Sequence, residues 1–352
     1  MIGRTRVVTA MLLLAAGCGA KEDLPRAAPD AEVPSWLRTR PPPHPDTIVE
    51  GETRWLVVKS VHLGLTHPIT GNADPVAWKY YGFDLDRRVT TAEDSRHARN
   101  TCSRAPGASM KMLQDGVGGI DNNFGQHVMA VAKSVKSDVE DAANLEISSG
   151  GYTLLLRLDG VGKGDNALAR GALYAAGPHL DAPTFRAEDR WPVWSSTLED
   201  GATLEKPLRT FPGGYVRDGI WVSGEIGGRP DRFWLPVFGS VEMRASIVLM
   251  VDLASGKGLL AGAIPAEELV RFATPWAAKW DVCPFGATLD QLMDALTQSV
   301  DLVIDGRDFQ DPTRPCNAVS VGIGFDVVPV APPVEVVPPP PPPASCDAGT
   351  SG

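Results

Sequence analysis

Apolar and polar residues alternate through much of the middle of this chain, and a period of two predicts strands. TRWLVVKSVHLG (53–64) sets Trp55, Val57 and Val61 on one face and Leu56 and Val58 on the other. YTLLLRLDG (152–160) places Tyr152, Leu154, Leu156 and Leu158 inward and Thr153, Arg157 and Asp159 outward, with Leu155 the exception. GIWVSGEI (219–226), ASIVLMVDL (245–253) and NAVSVGIGFDVVPV (317–330) read as further strands, the second apolar on both faces. GKGLLAGAI (256–264) follows a turn at Ala254–Gly256 and is the expected hairpin partner of 245–253.

Helical spacing is rarer. Val128, Val131, Val135 and Val139 recur at three and four residues, which predicts a helix over 124–142, with Asn123 as N-cap and Gln126 as its reciprocal partner. Pro265 followed by Glu267 and Glu268 predicts a helix start, and Pro275 an end near Thr274. TLDQLMDALTQSV (288–300) carries one apolar stripe of Leu289, Leu292, Met293, Leu296 and Val300, a core contact. The sum is a strand-dominated α+β protein: an antiparallel β-sandwich or jelly-roll-like domain over residues 50–328 with a few packed helices.

The ends differ in kind. Residues 1–17 hold Arg4 and Arg6, then an apolar run from Val7 to Ala16, too short to span a bilayer and of the length of a signal-peptide core. Small residues and Cys18 follow. Leu14-Ala15-Ala16-Gly17-Cys18 resembles the lipobox of bacterial lipoproteins, although Ala15 stands where leucine is commoner. That resemblance implies cleavage before Cys18, lipid on Cys18, and a cell-envelope protein held to a membrane by its acyl chains. Gly19 is not the aspartate associated with inner-membrane retention, which points to the outer membrane. Residues 18–49 are rich in proline and read as a spacer; residues 329–352, with Pro338–Pro343, read as a polyproline tail.

Charge narrows the partners. The chain carries a formal −10, and loss of the two arginines of residues 1–17 makes it −12. This argues against nucleic acid and leaves the lipid, not a basic patch, as the membrane contact.

The densest polar chemistry is DGVGGIDNNFGQH (115–127). One reading is a glycine turn and helix cap. The other is calcium, a hard cation that takes several oxygen ligands. Asp84, Asp86, Asp115, Asp121 and Asn123 form the candidate ligand set, with Asp94 and Asn122 beside them. An EF-hand does not fit: Arg88 and Val89 fall at the fifth and sixth positions from Asp84, and Ala132 at the twelfth from Asp121. Asp305, Asp308 and Asp311 form a third acidic loop.

Other chemistry is sparse. GxSxG, HExxH and the phosphate-loop pattern are absent, and GVGKGDNA (160–167) lacks a hydroxyl after its lysine. His62 and His67 have two readings: members of a zinc site completed by an outside carboxylate, or ordinary polar neighbours. Trp191 and Trp194 flank a proline in a polar stretch, so they either stack on sugar rings or pack on the sheet. Cys102, Cys283, Cys316 and Cys346 suit disulfides in an exported protein. Cys283–Cys316, with Cys102–Cys346 remaining, is the expected pairing. YGFDLD, DGVGGIDNNFG and PCNAVSVGIGF resemble predicted lipoproteins of bacteria with large genomes, a resemblance that carries no activity. The expected role is a non-catalytic binding or structural module with a glycan or protein ligand. The alternatives are a calcium-supported carbohydrate-binding module and an envelope hydrolase.

Overall fold

The computed structural model describes residues 34–96, 101–103, 113–200, 203–227, 230–234, 242–279, 294, 296–304 and 309–341. Residues from Ser35 onward belong to one compact unit. Its strands are β1 (Glu52–His62), β2 (Cys102–Ser103), β3 (Thr153–Val161), β4 (Arg170–Ala176), β5 (Val193–Trp194), β6 (Arg209–Phe211) and β7 (Tyr215–Arg217). They continue with β8 (Ile220–Val222), β9 (Asp231–Trp234), β10 (Glu242–Asp252), β11 (Lys257–Pro265), β12 (Asp311–Pro315), β13 (Ala318–Val330) and β14 (Val336–Val337). The α-helices are α1 (Ala92–Arg96), α2 (Met129–Val135), α3 (Val139–Ser148) and α4 (Ala266–Lys279). The fold is α+β and strand-dominated. No helix among the described residues is long and apolar enough to cross a membrane.

One sheet runs β14-β5-β4-β3-β1-β13-β11-β10-β8-β7, with β6 added on β4 and β9 on β10; β12 and β2 form a separate parallel pair. This sheet rolls on itself into a sandwich-like body. Asn166, in the β3–β4 connection, exchanges backbone hydrogen bonds with Val216 of β7 at 2.9 and 2.8 Å. Trp221 of β8 donates its indole N–H to Ala169 O at 2.8 Å.

Alternation explains the layers. Leu56 and Val58 of β1, Leu154, Leu156 and Leu158 of β3, Leu173 and Ala175 of β4, and Val319, Val321, Ile323 and Phe325 of β13 all enter one central core. Their neighbours point outward into two lesser cores. Trp55, Val57, Leu155 and Tyr174 meet Trp191 and Val193 on one side. Val248, Met250, Leu259, Ala261 and Ala318 are covered by Trp36, Tyr81, Phe83 and Leu85 on the other.

Several expectations change. The register of β1 shifts between Val58 and Ser60, so Val61 joins Leu56 and Val58 in the central core instead of facing with Trp55. A bulge inserts one residue and turns every later side chain over. The expected helix over 124–142 is three pieces: a π-helical turn at Phe124–Val128, α2, and α3 after a break where Lys136 is extended (φ −135°, ψ 98°). Its valines are stiff at χ1 and hold a helix weakly. Asn123 makes no capping bond; Asn122 Oδ1 accepts from Gly125 N at 2.9 Å instead. Pro265 ends β11, opposite Ala318, and α4 runs on through Pro275 because Leu269 and Phe272 anchor it in the core. The helix expected over 288–300 lies outside the described residues except for 294 and 296–300, where 294, 296 and 297 are helical.

The limits of the unit also differ from the expected 50 and 328. Trp36, 4 % exposed, is core, and Tyr215 donates its hydroxyl to Pro42 O. Residues 35–45 are therefore a strap on the sheet and not a spacer. At the far end β14 pairs in parallel with β5.

The disulfide is a correction. Cys316 bonds to Cys102, not to Cys283, with a Cα–Cα distance of 5.2 Å. The pairing of β12 with β2 brings the two together: Cys316 N donates to Ser103 O at 2.8 Å and Asp311 N to Thr101 O at 3.1 Å. Cys283, Cys346 and Cys18 lie outside the described residues. The bond closes a separation of 214 residues, which corresponds to roughly 5 kcal/mol in the chain-entropy account.

Candidate cation site

Behind the strap, the chain after the turn Ala77–Tyr80 passes over the outer face of β13. Gly322 makes that approach possible, because a Cβ there would run into the Tyr81 carbonyl. Phe83 then forms a single antiparallel bridge with Asp121, Asp121 N donating to Phe83 O at 2.9 Å. Gly118 and Gly119, at φ 66° and 90°, turn the chain between Asp115 and Asp121, a conformation that L side chains resist.

These turns gather carboxylates. Asp86, Asp115, Asp121 and Asp301 line one small cavity of ≈ 10 Å³ with Thr90, Thr101, Gln114, Asn122 and Asn123. The space suits one water-sized sphere. No basic side chain lines it among the described residues. Asp84, Asp86 and Asp121 each present an oxygen, all mutually within 4.8 Å, and all three residues are buried.

Donors fix the carboxylates in place. Asp121 Oδ2 accepts from Leu85 N at 2.7 Å and Asp86 N at 3.3 Å. Asp86 accepts from Arg88 N at 2.8 Å and from the Thr101 hydroxyl. Thr90 N donates to Asp115. Asp301 accepts from Ser320 N at 2.8 Å and from the Ser320 hydroxyl. Asp84 Oδ2 takes Arg40, whereas Asp84 Oδ1 is buried with no hydrogen-bond partner.

Electrostatics oppose charge here. Burial, and then the neighbouring aspartates, push Asp115 up to about 8 against the hydrogen bond from Thr90. Burial pushes Asp301 up to about 7 although Ser320 stabilises its anion. Asp86 and Asp121 are raised for the same first reason, with Asp84 adding to Asp86 and Asp86 and Asp115 adding to Asp121. Carboxylates held together in a poor dielectric ionise reluctantly, and a bound divalent cation reverses that balance.

The structure thus brings Asp84, Asp86, Asp115, Asp121 and Asn123 around one place. Asn123 donates Nδ2 to Ser299 O at 3.1 Å and its N–H to Ser320 Oγ at 2.7 Å, so it also ties the loop to its neighbours. Asp94 lies apart, capping α1 with Thr91. Asp311 accepts from Thr313 on β12, and Asp305 and Asp308 fall outside the described residues. Sequence reasoning missed Asp301 and Thr101. The clue for Asp301 was an acid embedded in the apolar run Val300-Asp301-Leu302-Val303.

The other candidates separate. His62 meets Asp326 at 3.3 Å, while His67 Nδ1 accepts from Ile69 N at 3.2 Å and packs on Tyr80. They share no ligand position. Ser60 and His62 both bond Asp326, so the carboxylate, and not the imidazole, receives the hydroxyl. Trp191 and Trp194 are each 1 % exposed, so neither offers a face to a sugar. Trp194 stacks on Tyr152, and Trp191 packs against His179 and Phe185. GVGKGDNA has a structural use: Asn166 binds Val49 at both N–H and carbonyl, at 3.2 and 3.0 Å.

No family model, curated protein or solved structure matches the chain.

Proposed function

We propose that this chain is a lipid-anchored cell-envelope protein, held in the outer membrane through Cys18, whose domain is a binding or structural module organised by calcium. The membrane half of the reading is supported by the Leu14–Cys18 string and by the small residues before the cysteine. The calcium half is carried by one observation: Asp86, Asp115, Asp121 and Asp301 surround a cavity the size of one small sphere, with no basic lining residue among those described. All-oxygen donors select a hard cation over zinc or copper. A cation there ties the 83–91 and 115–123 turns to Asp301 and β13, so it acts first on stability.

The test is a thermal melt of the full chain in calcium and in excess EDTA. Saturation at 100 times Kd contributes ~2.7 kcal/mol, which is a rise of several degrees. The rise disappears in Asp121→Asn. Identical melts in calcium and EDTA sink the calcium reading. The anchor is tested by labelled-palmitate incorporation, expected in the wild type and lost in Cys18→Ser.

A further inference from the structure

The acidic cluster contains two overlapping oxygen sets. One is the cavity ring of Asp86, Asp115, Asp121 and Asp301. The other is the trio Asp84, Asp86 and Asp121. Asp84 does not line the cavity; it lines an open cleft of about 350 Å³ with Arg40, His44, Arg87, Tyr215 and Glu225. Asp86 borders the neighbouring cleft of about 240 Å³, which shares Leu85, Arg87 and Ile226 with the first. Only Asp86 and Asp121 belong to both sets.

Resting on the calcium reading above, we infer that the cluster holds two calcium ions: an inner one in the cavity and an outer one on the cleft side at Asp84, with Asp86 and Asp121 bridging them.

Geometry and an orphan oxygen each support this. Two ligands of one calcium, each ~2.4 Å from it, lie at most about 5 Å apart, and the trio meets that limit with no help from Asp115 or Asp301. A carboxylate has about four lone-pair sites, so the N–H groups of Leu85, Asp86 and Arg88 and the Thr101 hydroxyl leave capacity on both bridging residues. Asp84 Oδ1 is the second, separate sign. Its residue is 8 % exposed, and this oxygen is buried without any donor while Oδ2 takes Arg40. A buried carboxylate oxygen without a partner is costly unless something positive meets it.

The experiment is equilibrium dialysis of the full chain in buffered calcium, with bound metal read by atomic emission. Two ions per wild-type chain are expected, and one per chain in Asp84→Asn. One ion in both proteins overturns the second ion while leaving the single-site reading intact. No ion in the wild type overturns both readings. Two ions in folded Asp84→Asn overturn the place assigned to the outer ion. Terbium luminescence of the wild type guards against a variant that fails to fold. Two decay components are expected: one lengthened in D₂O, from the cleft-side ion with bound water, and one little changed, from the cavity. A single component overturns the inference.

Discussion

The side chain of Asn122 pairs with the backbone of Gly322 as a neighbouring strand would, donating Nδ2 to Gly322 O at 3.0 Å and accepting from Gly322 N at 2.9 Å. The same amide donates to Trp78 O at 3.1 Å and accepts from Gly125 N at 2.9 Å. One buried residue thereby fixes the acidic turn, the turn before it and β13.

Asn122→Ala strands those backbone groups without partners. Each costs ~1–3 kcal/mol when buried unmade, so the loss in urea unfolding is at least about 3 kcal/mol. Asn122→Asp is at least as damaging, because its oxygens face the carbonyls of Trp78 and Gly322. A loss below about 1 kcal/mol for both variants would show that the amide is not what holds the turns.

Acid and cation compete at the cavity. The carboxyls of Asp115 and Asp301 sit at about 8 and about 7 in the folded chain, above their unfolded value. The folded state thus binds more protons, and its stability falls as pH rises through that range. In EDTA the melting temperature is therefore higher near pH ~5.5 than near ~8.5, and in calcium the order reverses. The double variant Asp115→Asn with Asp301→Asn flattens the EDTA curve. An EDTA curve that rises with pH in the wild type contradicts the arrangement.

Asp326 titrates with the opposite sign. Burial works against its anion, but hydrogen bonds from His62, Lys257 and Ser60 outweigh it and hold the carboxyl below the usual range. Its contribution is present above the unfolded value and lost as pH falls through the folded one. Below pH ~4 the wild type therefore loses stability faster than Asp326→Asn. Parallel acid limbs in the two proteins would rule this out.

Trp194 tests burial on the other flank. Its indole N–H donates to Gly177 O, and its ring stacks on Tyr152 at 5.2 Å. Trp194→Ala costs about 3–5 kcal/mol, whereas a surface indole would cost little. Acrylamide quenching of Trp194 should be weak. Strong quenching would reopen the sugar-stacking role for this residue.

Alternation made β1, β3, β10, β11 and β13 legible, because each sends apolar side chains into the central core. β4 escaped notice because Arg-Gly-Ala-Leu-Tyr-Ala-Ala is written mostly in residues with weak strand preference, and its neighbours β3, β5 and β6 fix it. The bulge after Val58 left no local mark, so the side of Val61 was misread. The aspartates of 84–86 and 115–121 stood out by density. Asp301 and Thr101 did not, since their meeting depends on a disulfide from Cys102 to Cys316 whose partners lie 214 residues apart. Spacing along the chain favoured Cys283 for Cys316, and only the pairing of β2 with β12 decides otherwise.

The strap at residues 35–45 has a mechanical meaning. Ser35 bonds Asp252, Trp36 fills the outer core under Lys257, Thr39 O receives Asp84 N at 2.8 Å, and Arg40 grips Asp84. A force drawn along the amino terminus reaches these contacts in that order, and reaches β1 only afterwards. The domain is loaded by peeling: the hydroxyl bond goes first, then the indole, then the guanidinium. Tension would thus strip Arg40 from the acidic cluster while every strand of the sheet still stood.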